Sequence, residues 1–147
     1  MRAILLILLL GIPSWAEWAF GFWKMNPGRS TFPTDGQPRS LTLRVEPHAK
    51  GEVFTLDKIE QDGRATSDST ILYLDGKPRD FQELSCSGTQ SSKRVDSRTV
   101  EILRTCATGG WTRFIRRLTP GNELVLELSV RRSDGRQVEW RLLLEKQ

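Results

Sequence analysis

A chain of 147 residues carries 22 Lys and Arg against 18 Asp and Glu, a net charge of +4, with one His and two Cys. That length bounds a single domain able to bury roughly two thirds of its unfolded surface, so a core needs neither a metal nor many staples. The mild basicity argues against a nucleic-acid binder, which concentrates positive charge, and one histidine with two distant cysteines makes no zinc site.

The N-terminus reads as a leader. Arg2 supplies a positive charge, Ala3 to Ile12 (AILLILLLGI) is an unbroken apolar run, and Pro13 breaks it. Ser14 and Ala16 then place small residues before a cut after Ala16. This is the layout of a secretory signal peptide over residues 1–16. The run is too short for a membrane-spanning helix, which needs ~20 residues. The expectation is an exported chain, periplasmic or extracellular and not membrane-spanning, whose mature domain occupies residues 17–147.

The next stretch, Phe20 to Phe32 (FGFWKMNPGRSTF), clusters aromatics and then breaks. Pro27 lacks the N–H that a strand ladder needs, so any first strand ends before it. Asn26 to Arg39 is the one long irregular stretch. Beyond it, apolar residues alternate with polar ones. Leu41, Leu43 and Val45 alternate with Thr42, Arg44 and Glu46; Leu124, Leu126, Leu128 and Val130 do so in a later run, and Val138, Trp140, Leu142 and Leu144 in the last. A period of two marks half-buried strands. Asp62-Gly63, Asp75-Gly76, Pro120-Gly121 and Asp134-Gly135 supply the turns between them. The pattern predicts eight strands, 40–46, 52–60, 65–74, 88–95, 99–106, 111–118, 123–131 and 137–146, with a shorter piece near 80–84. No window sustains a 3.6 period, so little helix is expected.

Hairpin-length connections make consecutive strands pair as a meander. So many strands would leave exposed edges unless the sheet closes, and an antiparallel up-and-down barrel closes it. A sandwich would need longer crossovers. A membrane barrel would need an outward apolar band, whereas the polar faces here carry Arg44, Glu46, Glu127, Arg131, Glu139 and Arg141.

Cys86 and Cys106 would lie in an oxidising compartment, where an even count suggests a disulfide. In a hairpin of 88–95 with 99–106, facing residues sum to about 193 or 194, and the cysteines sum to 192. They lie nearly opposite, and a bulge absorbs the offset.

Gly21-Phe22-Trp23 resembles the Gly-x-Trp that starts the first strand in lipocalins. The wider pattern of Gly21, Trp23, Asn26, Ser30 and Phe32, the Asp75-Gly76-Lys77 turn, and the run from Pro120-Gly121 to Glu145-Lys146 resemble lipocalin-like domains of secreted bacterial proteins. The resemblance covers nearly the whole mature chain. It implies an all-β barrel of eight to ten strands whose interior takes a small hydrophobic or amphipathic ligand. The basic residue that lipocalins set over the first tryptophan would be Arg141, which sits on the polar phase of its strand. Trp23 reads as a plug that fills the barrel taper, or as a ligand contact. The 26–39 loop reads as a wrap or as a lid over a cavity.

No catalytic constellation is visible, so no enzyme is expected, and no cofactor. His48 sits in a turn without an orienting partner. Arg113, Arg116 and Arg117 form a basic cluster in WTRFIRRL. If Thr112, Phe114 and Leu118 face inward, so does Arg116, and a buried Arg must be paired. Its partner is either a core carboxylate or the acid head of a ligand. The candidate ligand-binding residues are Trp23, Phe54, Tyr73, Phe114, Arg116 and Trp140. Two functions stay open: a monomeric small-ligand binding barrel, and a barrel packed full that acts as an interaction module.

Overall fold

Alternation of apolar and polar side chains places one face of every strand inward, and the chain pays for the backbone's polar groups by pairing strand to strand. The computed structural model describes residues 18–83 and 86–147; the signal peptide expected at 1–16 lies outside them. The strands are β1 (Gly21–Met25), β2 (Ser40–His48), β3 (Gly51–Ile59), β4 (Ala65–Leu72), β5 (Arg79–Glu83), β6 (Cys86–Asp96), β7 (Thr99–Cys106), β8 (Trp111–Leu118), β9 (Glu123–Arg131) and β10 (Gln137–Lys146). The helical content of the described residues is a single 3-10 turn, Pro27–Arg29.

The ten strands form one antiparallel sheet in the order β4-β3-β2-β1-β10-β9-β8-β7-β6-β5. The expected meander holds at every step but one. The first strand pairs with the last, Trp23 opposite Lys146 and Met25 opposite Leu144. β4 and β5 do not pair, so the barrel is nearly but not fully closed. The 73–78 connection bridges this seam to β6 instead. Leu74 N–H donates to Ser92 Oγ at 3.0 Å and Gly76 N–H to Ser92 O at 2.7 Å. Gly76 has φ +74°, the left-handed value that a Cβ disfavours.

The disulfide is present. Cys86 and Cys106 are bonded with Cα atoms 5.1 Å apart. The hairpin register pairs Gly88, not Cys86, with Cys106, and the bulge lies at the far end, between Arg94 and Asp96. Gly88 is what lets β6 draw in: a Cβ there would overlap the carbonyl of Thr105.

The core fills one end of the barrel. Leu43, Phe54, Leu72, Ile102, Leu124, Leu126, Leu142 and Leu144 are fully buried. Each such side chain contributes about 1.5–3 kcal/mol through removal from water. Trp23 plugs this end at 1% exposure, and its indole N–H donates to Ala19 O at 2.9 Å. Lys146 Nζ lies 5.6 Å above its ring. The cation over the first tryptophan is therefore Lys146. Arg141 is exposed and its backbone bridges to Thr31.

The 26–39 segment divides in two. Asn26 and Thr31 donate backbone hydrogen bonds to Leu143 O and Arg141 O, so this part runs beside β10. Only the remainder crosses the opposite end of the barrel, where Phe32 packs edge-on to Trp140, centroids 6.4 Å apart.

Candidate functional site

The inward faces are not equally buried along the barrel. At the Trp23 end they are sealed. At the other end the inward positions Leu56, Phe81, Thr112, Val130, Val138 and Trp140 are only half-buried. Register identifies them as inward: Val138, Val130, Thr112 and Arg104 stand opposite one another across β10, β9, β8 and β7, and Leu56 stands opposite the buried Leu43. Solvent therefore reaches an aromatic-lined interior at this end. A cleft of about 320 Å³ at its rim is lined by Pro33, Gly36, Arg136, Val138 and Trp140 among others. A second cleft, about 400 Å³, lies along the unpaired β4–β5 seam and reaches the inward residues Thr70, Gln90 and Ser92.

Charged groups enter the interior at two levels. At the sealed end Arg116 of β8 forms an ion pair with Glu52 of β3, at 2% and 0% exposure. Arg94 lies close enough that both charges act on it, and burial holds its guanidinium below the ordinary range. Arg116 Nε and Glu52 Oε2 have no hydrogen-bond partner among the described residues. The partner of Arg116 is thus a core carboxylate, not a ligand's acid head.

Nearer the open end, Arg104 of β7 is 3% exposed and serves several partners at once. Nη1 reaches Asp68 Oδ2 at 2.8 Å and Glu83 Oε2 at 3.1 Å, and Nε donates to Gln90 Oε1 at 2.9 Å. Gln90 in turn donates to Thr70 Oγ1 at 3.0 Å. Phe81 and Phe114 flank the guanidinium, 4.3 and 5.0 Å from ring centroid to Cζ. This network ties β4 to β5, β6 and β7 across the seam where backbone pairing fails. Burial raises the Glu83 carboxyl above its ordinary range, and Asp68 adds to the rise against the pull of Arg104.

The candidate residues thus separate. Phe54 and Phe114 meet edge-on in the core, centroids 6.1 Å apart. Phe114 extends the wall toward the open end, where Trp140 stands. Trp23 lies at the sealed end. Tyr73 follows β4 on the seam, with Arg79 stacked 3.8 Å over its ring, and so lines the β4–β5 cleft rather than the barrel core. Sequence reading missed Glu52, Arg104, Asp68 and Glu83. The signal was present for Glu52 and Arg104, which fall on the inward phase of apolar strands.

The other sequence candidates are occupied locally. His48 accepts a hydrogen bond from Lys50 N–H at 3.1 Å. Strand alternation turns Arg113 and Arg117 outward, paired with Glu101 at 2.5 Å and Glu127 at 3.3 Å. Among the described residues, no cluster of acidic, His or Cys side chains could hold a metal, and no helix is long and apolar enough to cross a membrane.

No protein-family model matches the sequence, and no curated protein matches it. Solved structures do. The chain is similar to zebrafish ileal bile acid-binding protein complexed with cholic acid, with TM-score 0.55 and 13% identity over 88% of this chain and 100% of that one. It is also similar to a Schistosoma mansoni fatty acid binding protein in complex with arachidonic acid, with TM-score 0.56 and 10% identity over 88% and 96% of the two chains. At such identities the likeness is one of fold. The chain is an all-β, near-closed antiparallel up-and-down barrel.

Proposed function

We propose that this chain is an exported binding protein for small apolar or amphipathic molecules, with the ligand entering at the open end of the barrel. One observation carries the reading: inward side chains are sealed at the Trp23 end and half-buried around Trp140, Phe81 and Leu56 at the other. Binding sites are typically concave and apolar with a few placed polar groups, and this end has that composition. The ligands named for the two similar barrels, cholic acid and arachidonic acid, are amphipathic. The Cys86–Cys106 bond supports export, because disulfides persist in oxidising compartments. The lipocalin-like, secreted identity rests on the motifs around Trp23 and on the leader. The same reading makes the chain a carrier or sensor rather than a catalyst.

The fully packed Trp23 end favours a second reading, a filled barrel that binds protein partners on its outer surface. Native mass spectrometry on protein purified from its own host decides between them. A defined extra mass, lost on denaturation and soluble in organic solvent, is the result expected of a carrier. A clean apo mass, unchanged after lipid supplementation, moves the search to protein partners.

A further inference from the structure

Two interior arginines are already paired with carboxylates, and the third, Arg94, lies at the sealed end. Arg116 faces Glu52, and Arg104 faces both Asp68 and Glu83. Lys58, the other inward cation near Trp140, is held by Glu60 at 2.6 Å. Around Arg104 two carboxylates share one guanidinium, so negative charge is in excess at the level a ligand would reach. A carboxylate entering there meets like charge at low dielectric, which is unfavourable.

Two buried donors at this end lack a partner among the described residues: Arg104 Nη2 and Trp140 Nε1. A buried donor left unpaired is unfavourable, so a ligand oxygen that accepts from it is favoured. Hydrogen-bond acceptance is needed, while negative charge is opposed. Given that the barrel binds small molecules at all, the geometry points to an uncharged amphiphile bearing acceptor oxygens, such as an ester or amide carbonyl, and to discrimination against free carboxylic acids.

The selectivity is tested on the full chain, expressed with its own N-terminal segment, by tryptophan-fluorescence titration at neutral pH. The probes are methyl oleate, oleamide, oleate and oleylamine, which share one hydrocarbon chain. Methyl oleate and oleamide are expected to bind at least ~10-fold tighter than oleate, a ratio equivalent to about 1.4 kcal/mol. Oleate binding as tightly as the ester, or oleylamine alone binding, overturns this selectivity while leaving the binding reading standing. Binding of none of the four, checked by native mass spectrometry, overturns both. Glu83→Gln, which removes one excess charge and keeps the side-chain shape, is expected to narrow the ester-to-oleate ratio several-fold. An unchanged ratio in a folded Glu83→Gln protein overturns the electrostatic account.

Discussion

Arg116 on β8 and Glu52 on β3 pair across the interior of the barrel, both withdrawn from water, although 64 residues separate them in the chain (116 − 52). The pair joins β3 on one flank of the sheet to β8 on the other, as Arg104 and Asp68 join β7 to β4 nearer the open end. Taking two charges out of water is costly, so such a pair is a weak source of net stability but a strong specifier of which strands face each other.

Removing one partner leaves the other charge buried alone. Arg116→Leu is expected to lower stability by about 3–5 kcal/mol, read as the midpoint shift in urea unfolding. Arg116→Leu combined with Glu52→Leu should recover most of that loss. A single variant as stable as the parent would mean the charges are not paired in solution.

Trp23 is the largest side chain sealed at its end of the barrel. Trp23→Ala is expected to cost about 3–5 kcal/mol, because the neighbours cannot collapse fully into the space. Lys146→Ala removes only the cation above the ring and should cost about 0.5–1 kcal/mol. Denaturant unfolding of both variants compares plug with cation directly.

The Cys86–Cys106 bond closes a loop with a sequence separation of 20. The chain-entropy relation gives about 3 kcal/mol for a loop of that order. Replacing both cysteines with serine should therefore lower the urea midpoint markedly. Adding reductant to the parent should reproduce the shift, with no further change in the double variant.

Arg104 ties β4 to its neighbours where backbone pairing is missing. Arg104→Met keeps the apolar stem between Phe81 and Phe114 but removes the charged hydrogen bonds, worth about 1.5–3 kcal/mol each. Amide exchange across residues 65–72 is expected to rise about 10-fold or more. Exchange in β9 and β10 should change far less, because their ladders are complete.

Two glutamates should respond to pH with opposite signs. Glu83 is raised in the folded state, mainly by burial, so the folded protein holds its proton more tightly than the unfolded chain. Stability then falls as pH rises above the ordinary glutamate range, and Glu83→Gln should flatten that fall. Glu101 is lowered, mainly by its hydrogen bond to Arg113, so its contribution is present above the ordinary value and lost as pH falls through the depressed one. Glu101→Gln should remove part of the acid sensitivity. Urea midpoints taken across the acid range separate the two.

Strand positions were legible because the information is local. Alternation tells which residues share a face, and turn chemistry tells where a strand stops. The runs 99–106, 111–118, 123–131 and 137–146 read from pattern are the bounds of β7 to β10. The disulfide was legible for the same reason, since a hairpin register follows from its turn. Phase tied Arg116 to Phe114 and Leu118, and the structure buries all three; it left Trp23 as plug or ligand contact, and the structure seals it at one end.

What lay beyond the sequence is everything set by how the sheet curls. Period two gives the face of a residue but not its height in the barrel, because height depends on strand tilt and on which strands close the ring. Only the tertiary structure placed Glu52 against Arg116, Lys146 rather than Arg141 over Trp23, and Tyr73 on the seam. The same closure left β4 and β5 unpaired and gathered Asp68, Glu83 and Arg104 from three strands to bridge them. Local rules determined the strands; the long-range geometry of closure decided which side chains meet, and so where a ligand would be held.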